Sequence, residues 1–167
     1  MAKGIICIVL LAVLSFGFTS FSGEKRLPDI TISTLQGKPV NILNYVAKGK
    51  ITVLSFWATW CSPCKRELDA ISELYPTWMS DYNTELIAIS IDNARALTQV
   101  KPIIEEKGWK FEVLVDSKQA LQQALNFQAI PQTFVVDKEG NIVYQHEGYT
   151  PGDEYELEKV LKNLSGK

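Results

Sequence analysis

Cysteine, histidine and surplus charge are all scarce in this sequence. Its 167 residues include three cysteines and one histidine, and its 17 basic and 19 acidic side chains leave a formal net charge of −2. Because a basic surplus is missing, the chain lacks the electrostatic footprint of a nucleic-acid-binding protein, and we expect no nucleic acid among its partners. Hydrophobic residues make up 46% of the sequence, which is enough for one domain with a full core.

The amino terminus lacks an apolar run of ordinary membrane-spanning length. Residues 4–18 are uncharged and mostly apolar, but a membrane-spanning helix needs roughly 20 such residues. Lys3 precedes the run and Ser20-Phe21-Ser22 follows it, which is the order of parts in a secretory signal peptide. We therefore predict that residues 1–22 are a signal peptide, or an uncleaved anchor that tethers the protein through residues 4–18. Either form places the protein in the periplasm or another extracytoplasmic compartment.

Loss of the predicted signal would leave only two cysteines. Cys7 lies inside the apolar run, so a single domain of residues 23–167 would retain Cys61 and Cys64. Exported proteins commonly use cysteine pairs as structural disulfides. A Cys61–Cys64 disulfide would close a very short loop, which constrains the unfolded chain far less than a long loop does. The pair is therefore poorly placed for stability and well placed for chemistry.

The spacing of hydrophobic residues predicts strands that alternate with helices. The predicted strands are at residues 30–33, 39–42, 51–57, 86–91, 111–115, 133–136 and 142–145. The predicted helices are at residues 43–46, 61–81, 94–107 and 117–126, with a final amphipathic helix that starts near Asp153. This order predicts an α/β fold with a mixed central sheet and helices on both faces.

Particular residues predict where the helices begin, bend and end. Asp92-Asn93 is an expected cap, because these side chains can accept hydrogen bonds from the first free N–H groups of a helix. Gly108 is expected to end that helix. Pro76 is expected to kink or divide the long helix, and Pro102 to bend or restart the next one, because proline has no N–H group to donate.

The two remaining cysteines lie where a predicted strand meets a predicted helix. Cys61 is at the helix N-terminus, where unpaired N–H groups and the helix dipole favour a thiolate. Cys64 is one turn further along and harder to reach. We therefore predict Cys61 as the nucleophile of a redox-active pair and Cys64 as the resolving thiol. A metal pair is the other reading, but a four-ligand zinc site needs two more ligands and only His146 is left, so we expect no metal.

Two longer motifs carry a family resemblance. Residues 56–64 read Phe-Trp-Ala-Thr-Trp-Cys-Ser-Pro-Cys, and residues 130–137 read Ile-Pro-Gln-Thr-Phe-Val-Val-Asp, with Gly140 following. Together they resemble the thioredoxin superfamily, and more narrowly its exported thiol–disulfide oxidoreductases of the TlpA and ResA type. The resemblance implies a thioredoxin fold with an N-terminal β-hairpin and one inserted βα unit between Cys64 and Pro131.

The resemblance also implies roles for residues around the dithiol. The Ile130–Pro131 bond is expected to be cis, and Ile130 and Pro131, with Trp60 and Pro63, are expected to bind the substrate segment. Glu67 lies one helical turn after Cys64, where the ResA-like branch has a partly buried glutamate that assists proton transfer. Desolvation would raise the pKa of such a carboxyl and make it a base. Thioredoxin's buried aspartate is replaced here by Ser55, which favours Glu67 for this role.

We expect the protein to reduce specific protein disulfides, for example in cytochrome c maturation. Ser62-Pro63 between the cysteines lacks the histidine of DsbA-type oxidants, which favours a reductant. A membrane electron donor would recharge the dithiol, the protein would act as a monomer, and no cofactor beyond the redox-active disulfide is expected. His146, far away in sequence, is expected to be a surface polar residue. Two alternatives stay open. One is a peroxide reductase, although peroxiredoxins have a Thr-x-x-Cys signature and Thr59 is only two residues before Cys61. The other is a redox-inert binding module.

Overall fold

The structure, a computed structural model, describes residues 25–46 and 49–167. The predicted signal segment, including Cys7, lies outside the described residues. The strands are β1 (Lys25–Arg26), β2 (Thr31–Thr34), β3 (Pro39–Asn41), β4 (Ile51–Trp57), β5 (Thr84–Ser90), β6 (Glu112–Val115), β7 (Gln132–Val136) and β8 (Asn141–Glu147). The helices are α1 (Ile42–Val46), α2 (Ser62–Tyr82), α3 (Leu97–Lys107), α4 (Ala120–Leu125) and α5 (Asp153–Ser165). Within these residues, no helix combines the length and apolar character that crossing a bilayer requires.

One mixed sheet organises the fold. Its eight strands lie in the order β1-β8-β7-β4-β5-β6-β2-β3, and β4, β5 and β6 are parallel while the other pairs are antiparallel. The expected N-terminal hairpin is present as β2 and β3, with Gly37 at φ 78° in its turn. The closing hairpin is β7 and β8. The predicted mixed α/β sheet is therefore confirmed.

Strand β4 is the centre of the core because both of its faces are covered. All seven of its residues are buried. On one face Phe56 packs edge-on against Phe127 and Phe134, with ring centroids 4.7 and 5.9 Å apart. Trp57, adjacent in sequence, faces the opposite side and packs against Trp109 at 5.2 Å. These aromatic contacts fix the end of β4 from both sides.

The inserted βα unit implied by the resemblance is α3 with β6. It lies between β5 and α4, and β6 extends the parallel part of the sheet. Right-handed crossovers place α2 and α3 on the same face of the sheet. Asp69 on α2 joins them there, since it accepts hydrogen bonds from Lys107 at 2.7 Å and from Trp109 at 3.0 Å.

The two helix prolines do not interrupt their helices. Pro76 was expected to kink or divide the long helix, and division does not occur, since α2 runs unbroken from Ser62 to Tyr82. Tyr75 and Trp78 are buried on either side of Pro76, and this packing outweighs one lost backbone hydrogen bond. Pro102 likewise lies inside a continuous α3.

The predicted start of α3 is also wrong by three residues. The Asn93 side chain accepts hydrogen bonds from the N–H groups of Arg95 and Ala96, at 3.0 and 3.2 Å. These bonds form a separate turn, so the helix begins only at Leu97. The predicted end at Gly108 is confirmed, because this residue closes α3 in the left-handed conformation with φ 68°.

Candidate active site

Cys61 and Cys64 form a disulfide at the beginning of α2. Cys61 is the N-cap residue, its Cα lies 5.3 Å from that of Cys64, and its Sγ accepts a hydrogen bond from the Cys64 N–H at 3.2 Å. Pro63 occupies the first turn of the helix, where a missing N–H leaves no intrahelical bond unmade. Cys61 is 4% exposed and Cys64 is 0% exposed, so solvent reaches the pair only through Cys61.

The loop before β7 contacts the disulfide. The Ile130–Pro131 peptide bond is cis, the isomer that the resemblance implies. The Ile130 carbonyl oxygen lies 3.9 Å from Cys61 Sγ, which is a contact and not a hydrogen bond because a disulfide sulfur carries no proton. The structure thus brings the two sequence motifs to one place, through a contact between residues 69 positions apart in the sequence.

Trp60 gives this place an exposed apolar surface. Its side chain is 69% exposed, the largest exposed fraction of any large hydrophobic residue in the described part of the chain. It immediately precedes Cys61, whose sulfur also contacts the half-buried Ile130. Burying apolar surface of this kind against a partner is favourable. The arrangement suits contact with another polypeptide.

Asp92 holds the loop that carries Trp60, a role that the sequence prediction missed. Its buried carboxylate accepts hydrogen bonds from the Thr59 N–H at 2.9 Å and the Thr59 hydroxyl at 2.8 Å. Ser90 donates to the same carboxylate at 2.9 Å. Lys65 also binds the loop, by donating to the Thr59 carbonyl at 2.9 Å. Topology could have indicated this role. Parallel β4 and β5 end at the same edge of the sheet, which brings Thr59 and Asp92, the residues that follow them, close together.

Glu67 is a buried carboxyl group one helical turn beyond Cys64. It is 4% exposed, and each of its oxygens accepts a hydrogen bond from a hydroxyl group. Ser55 on β4 donates at 3.0 Å and Thr133 on β7 donates at 2.7 Å. Burial raises the pKa of Glu67 to about 7, although both hydroxyls favour the charged form. Near neutral pH this carboxyl can therefore take up or release a proton without a large change in free energy.

Thr133 and His146 were not predicted to lie near Glu67. Thr133 pairs with Ser55 across β4 and β7, and His146 pairs with Thr133 across β7 and β8. Directly paired residues present their side chains to the same face. His146 accordingly lines the same small cavity as Glu67, while its side chain remains 36% exposed. Strand register was the missing information.

The disulfide and its neighbours support dithiol–disulfide exchange. This chemistry needs one accessible sulfur, a second thiol within reach and a way to move protons near neutral pH. Cys61 can supply the accessible sulfur, Cys64 is the second cysteine within reach, and Glu67 is the group that can exchange a proton. Among residues 25–46 and 49–167, no group of three or more histidine, cysteine, aspartate or glutamate side chains is arranged to hold a metal ion.

Comparisons with known proteins agree with this chemistry. Residues 24–145 match the model of the AhpC/TSA family. The thiol-disulfide oxidoreductase ResA of Bacillus thuringiensis is 31% identical over 170 residues, covering 95% of this chain and 94% of that protein. The sporulation thiol-disulfide oxidoreductase A of Bacillus subtilis is 29% identical and covers 82% of this chain and 84% of its own.

Solved structures give the same result. An uncharacterized thioredoxin-like protein from Porphyromonas gingivalis superposes with a TM-score of 0.75 at 42% identity, covering 84% of this chain and 92% of that one. StoA from Bacillus subtilis superposes with a TM-score of 0.63 at 27% identity, covering 79% of this chain and 98% of that one. The thioredoxin-like fold is therefore shared along most of the described chain.

The raised pKa of Glu67 makes a prediction about stability. Glutamate in an unfolded chain titrates near pH 4.3, whereas Glu67 in the folded protein has a pKa of about 7. The folded state keeps a proton that the unfolded state has already lost, and this difference stabilises the folded protein. The stabilisation is complete below the unfolded pKa and disappears as pH rises through the folded pKa. Between about pH 5 and pH 8 the free energy of unfolding should fall by about 2.5 kcal/mol because of this one group.

Urea unfolding of the oxidised protein at both pH values measures this fall, with Glu67→Gln expected to remove it. Glu73→Gln, a change of an exposed glutamate on the same helix, is the matched control and should keep the wild-type pH dependence. Parallel pH profiles for Glu67→Gln and the wild type would contradict the prediction.

Proposed function

The chain belongs to the AhpC/TSA family of thioredoxin-like proteins and is a thiol–disulfide oxidoreductase, and we propose that it is an exported reductant of specific protein disulfides. The observation that supports this proposal best is the Cys61–Cys64 disulfide at the start of α2, in contact with the cis Ile130–Pro131 loop. Protein disulfides are the substrate class, because the chemistry transfers two electrons between one sulfur pair and another.

Cys61 is the nucleophile in this proposal. It is the more exposed cysteine and lies at the N-terminus of a 21-residue helix. The helix dipole and free N–H groups there stabilise negative charge, which lowers a thiol pKa and supplies thiolate at neutral pH. The Cys61 thiolate attacks a substrate sulfur and forms a mixed disulfide, while the other substrate sulfur leaves as a thiolate. Cys64 then attacks Cys61 Sγ, reforms the disulfide and releases the second substrate sulfur.

The substrate segment binds beside the dithiol. Trp60 supplies exposed apolar surface, Pro63 lies on the first turn of α2, and the Ile130–Pro131 loop contacts Cys61 Sγ. An extended peptide can pair with the backbone at Ile130 as a short added strand. This mode needs little from substrate side chains, so specificity comes from the shape around the substrate disulfide.

Glu67 transfers the proton of Cys64. It lies on α2 one turn after Cys64, and its raised pKa keeps both the acid and the carboxylate populated near pH 7. The carboxylate accepts the Cys64 proton as that thiol becomes the attacking thiolate. Ser55 and Thr133 hold the two carboxyl oxygens in place throughout.

The two residues between the cysteines, Ser62 and Pro63, favour a protein that reduces its substrates over one that oxidises them. Ser62-Pro63 has no charge that would strongly favour the reduced pair. The dithiol therefore gives up electrons readily, which suits reduction of an apocytochrome c disulfide to the two thiols needed for haem attachment. A membrane protein that passes on thiol electrons would reduce Cys61–Cys64 again after each turnover, and the protein works as a monomer.

Export follows from residues 1–22 as a cleaved signal or an uncleaved anchor, with residues 23–167 as the functional domain. The apolar run is bounded by Lys3 and by a small-residue site at Ser20-Phe21-Ser22. A reductant outside the cytoplasm has substrates there, because disulfides persist in oxidising compartments.

The peroxide-reductase alternative has no support in the site geometry. Such an enzyme would use a threonine close to its cysteine, but the Thr59 hydroxyl donates to Asp92 at 2.8 Å. The second cysteine one turn along the helix also favours dithiol exchange. A stoichiometric peroxide-consumption assay separates the two activities.

We predict that Cys61→Ser abolishes reduction of insulin disulfides in the presence of dithiothreitol, down to the rate of dithiothreitol alone. Serine cannot form the thiolate or the mixed disulfide on which turnover depends. Asp81→Asn, which removes an exposed charge at the far end of α2, is the control and should keep wild-type activity. Equal rates for Cys61→Ser and the wild type would rule out the proposed nucleophile.

We predict that Cys64→Ala accumulates a mixed disulfide between Cys61 and its physiological substrate. The resolving thiol is then missing, so the first half of the exchange proceeds and the second cannot. Non-reducing electrophoresis and mass spectrometry of the adduct identify the partner. The Cys61→Ala, Cys64→Ala double variant should give no adduct, and adducts of equal yield in both variants would refute attack by Cys61.

We predict that full-length protein produced in a bacterium is recovered outside the cytoplasm. A cleaved form should begin at Gly23 or a neighbouring residue, and an anchored form should keep its N-terminus and sediment with membranes. N-terminal sequencing of both fractions distinguishes these forms. A variant starting with Met directly before Gly23 should stay cytoplasmic, and cytoplasmic recovery of the full-length chain would contradict export.

A further inference from the structure

The proposed function leaves open how the proton that Glu67 accepts reaches solvent. The hydroxyl partners of Glu67 are themselves inaccessible, since Ser55 is 0% exposed and Thr133 is 2% exposed. A bound substrate would cover the surface around Cys61 and Trp60 at the time when Cys64 loses its proton. The proton therefore needs a way out on another side of Glu67.

A small cavity lies on the side of Glu67 that faces β8 and α5. Glu67, Thr133, His146 and Asp153 are among its lining residues. The space open to the centre of a water molecule is about 10 Å³, which is about what one water needs. Glu67 and His146 thus line one cavity with room for about one water.

His146 and Asp153 form the polar, solvent-reaching end of this cavity. His146 Nε2 lies 3.1 Å from Asp153 Oδ2, and the two side chains are 36% and 32% exposed. The same Asp153 oxygen accepts a hydrogen bond from the Thr150 N–H at 2.7 Å, which fixes the carboxylate at the start of α5. Histidine is the side chain that commonly carries protons near neutral pH, and the contact with Asp153 holds this ring in place.

The other titratable side chains around the cavity are less suited to carrying a proton. They are Tyr144 on β8, Tyr149 before α5 and Glu154 on α5. Burial raises the pKa of Tyr144 and, together with the nearby Glu154, raises the pKa of Tyr149 to about 12. The phenols therefore keep their protons at neutral pH. Glu154 is engaged by the Tyr149 hydroxyl at 3.0 Å and the Gly152 N–H at 2.9 Å.

We propose that His146, held by Asp153, passes the proton between Glu67 and solvent during disulfide exchange. This inference rests on the proposed function. Cys64 gives its thiol proton to the Glu67 carboxylate and becomes the thiolate that attacks Cys61 Sγ. The Cys61–Cys64 bond forms, the bond from Cys61 to the substrate sulfur breaks, and the substrate leaves with the electron pair and takes a proton from solvent. Glu67 then releases its proton through the cavity to His146, and His146 releases it to solvent.

A single-turnover reaction can isolate this step. Pre-reduced protein is mixed with the disulfide of thionitrobenzoate, which releases one coloured thiol when Cys61 attacks and a second when Cys64 resolves the mixed disulfide. Below neutral pH much of Glu67 is protonated at the start and must lose that proton through His146 before it can accept the proton of Cys64. We therefore expect His146→Gln and His146→Ala to slow the second release about tenfold there, less than the roughly hundredfold or more of a group that acts directly on the reacting atoms. The first release should be unchanged. Tyr149→Phe alters the same cavity without removing a proton carrier and should keep both rates.

Two further comparisons separate proton transfer from packing. Free imidazole should restore the second release in His146→Ala, where it has room, but not in His146→Gln. In a Glu67→Gln background the His146 variants should cause no additional slowing, because both act on one step. Unchanged release rates would overturn the proposal, as would slowing that imidazole does not reverse and that adds fully to the effect of Glu67→Gln.

A titration of the oxidised protein tests the coupling without any turnover. The charge of His146 favours the Glu67 carboxylate, so His146→Gln should raise the Glu67 pKa seen by carbon-13 NMR of the carboxyl group. An unchanged pKa would overturn the coupling. Failure of the wild type to release either thiol would instead refute the proposed function, and the titration would still report on the His146–Glu67 contact.

Discussion

The site depends on the junction between β4 and α2. A strand buried on both faces ends at Trp57, and five residues later a 21-residue helix has begun. The helix must start inside the protein with its first N–H groups lacking intrahelical partners. Cys61, as N-cap, meets one of these groups with its sulfur. The same backbone requirement that begins the helix therefore creates the environment in which a sulfur anion is stable.

Burial enables the carboxyl group of Glu67 to exchange a proton near neutral pH. A carboxyl group enclosed between α2 and the sheet has a high free-energy cost when charged, and two hydroxyl groups offset only part of that cost. The part of the cost that is not offset raises the pKa of Glu67 to about 7. A fully solvated carboxyl at this position would be charged at neutral pH, whereas a buried carboxyl without the two hydroxyls would have a still higher pKa. Ser55 and Thr133 therefore lower the pKa of Glu67 from the value that burial alone would give.

The sequence was sufficient for elements and motifs, but it was insufficient for contacts between distant strands. Periodicity predicted β4, the long α2 and both hairpins, because these patterns are local. It mispredicted the start of α3, since Asn93 could cap a helix or a separate turn and only the structure decides between them. The positions of Thr133 and His146 beside Glu67 follow from pairing across β4, β7 and β8. Register of this kind is a tertiary property that no local pattern encodes. The two-residue β1, which pairs only with β8, was missed because it is too short to carry a pattern.

The hydrogen bonds from Thr59 to Asp92 have a consequence for how partners are chosen. They attach the loop before Cys61 to the end of β5, deep in the scaffold, and not to anything that a partner supplies. A loop already held in one conformation loses little entropy when a complex forms, so more of the contact energy remains as affinity. It also cannot reshape itself around an ill-fitting surface. The protein should consequently discriminate among folded polypeptides by rigid complementarity, and prefer those whose disulfide lies in a segment that is itself free to extend.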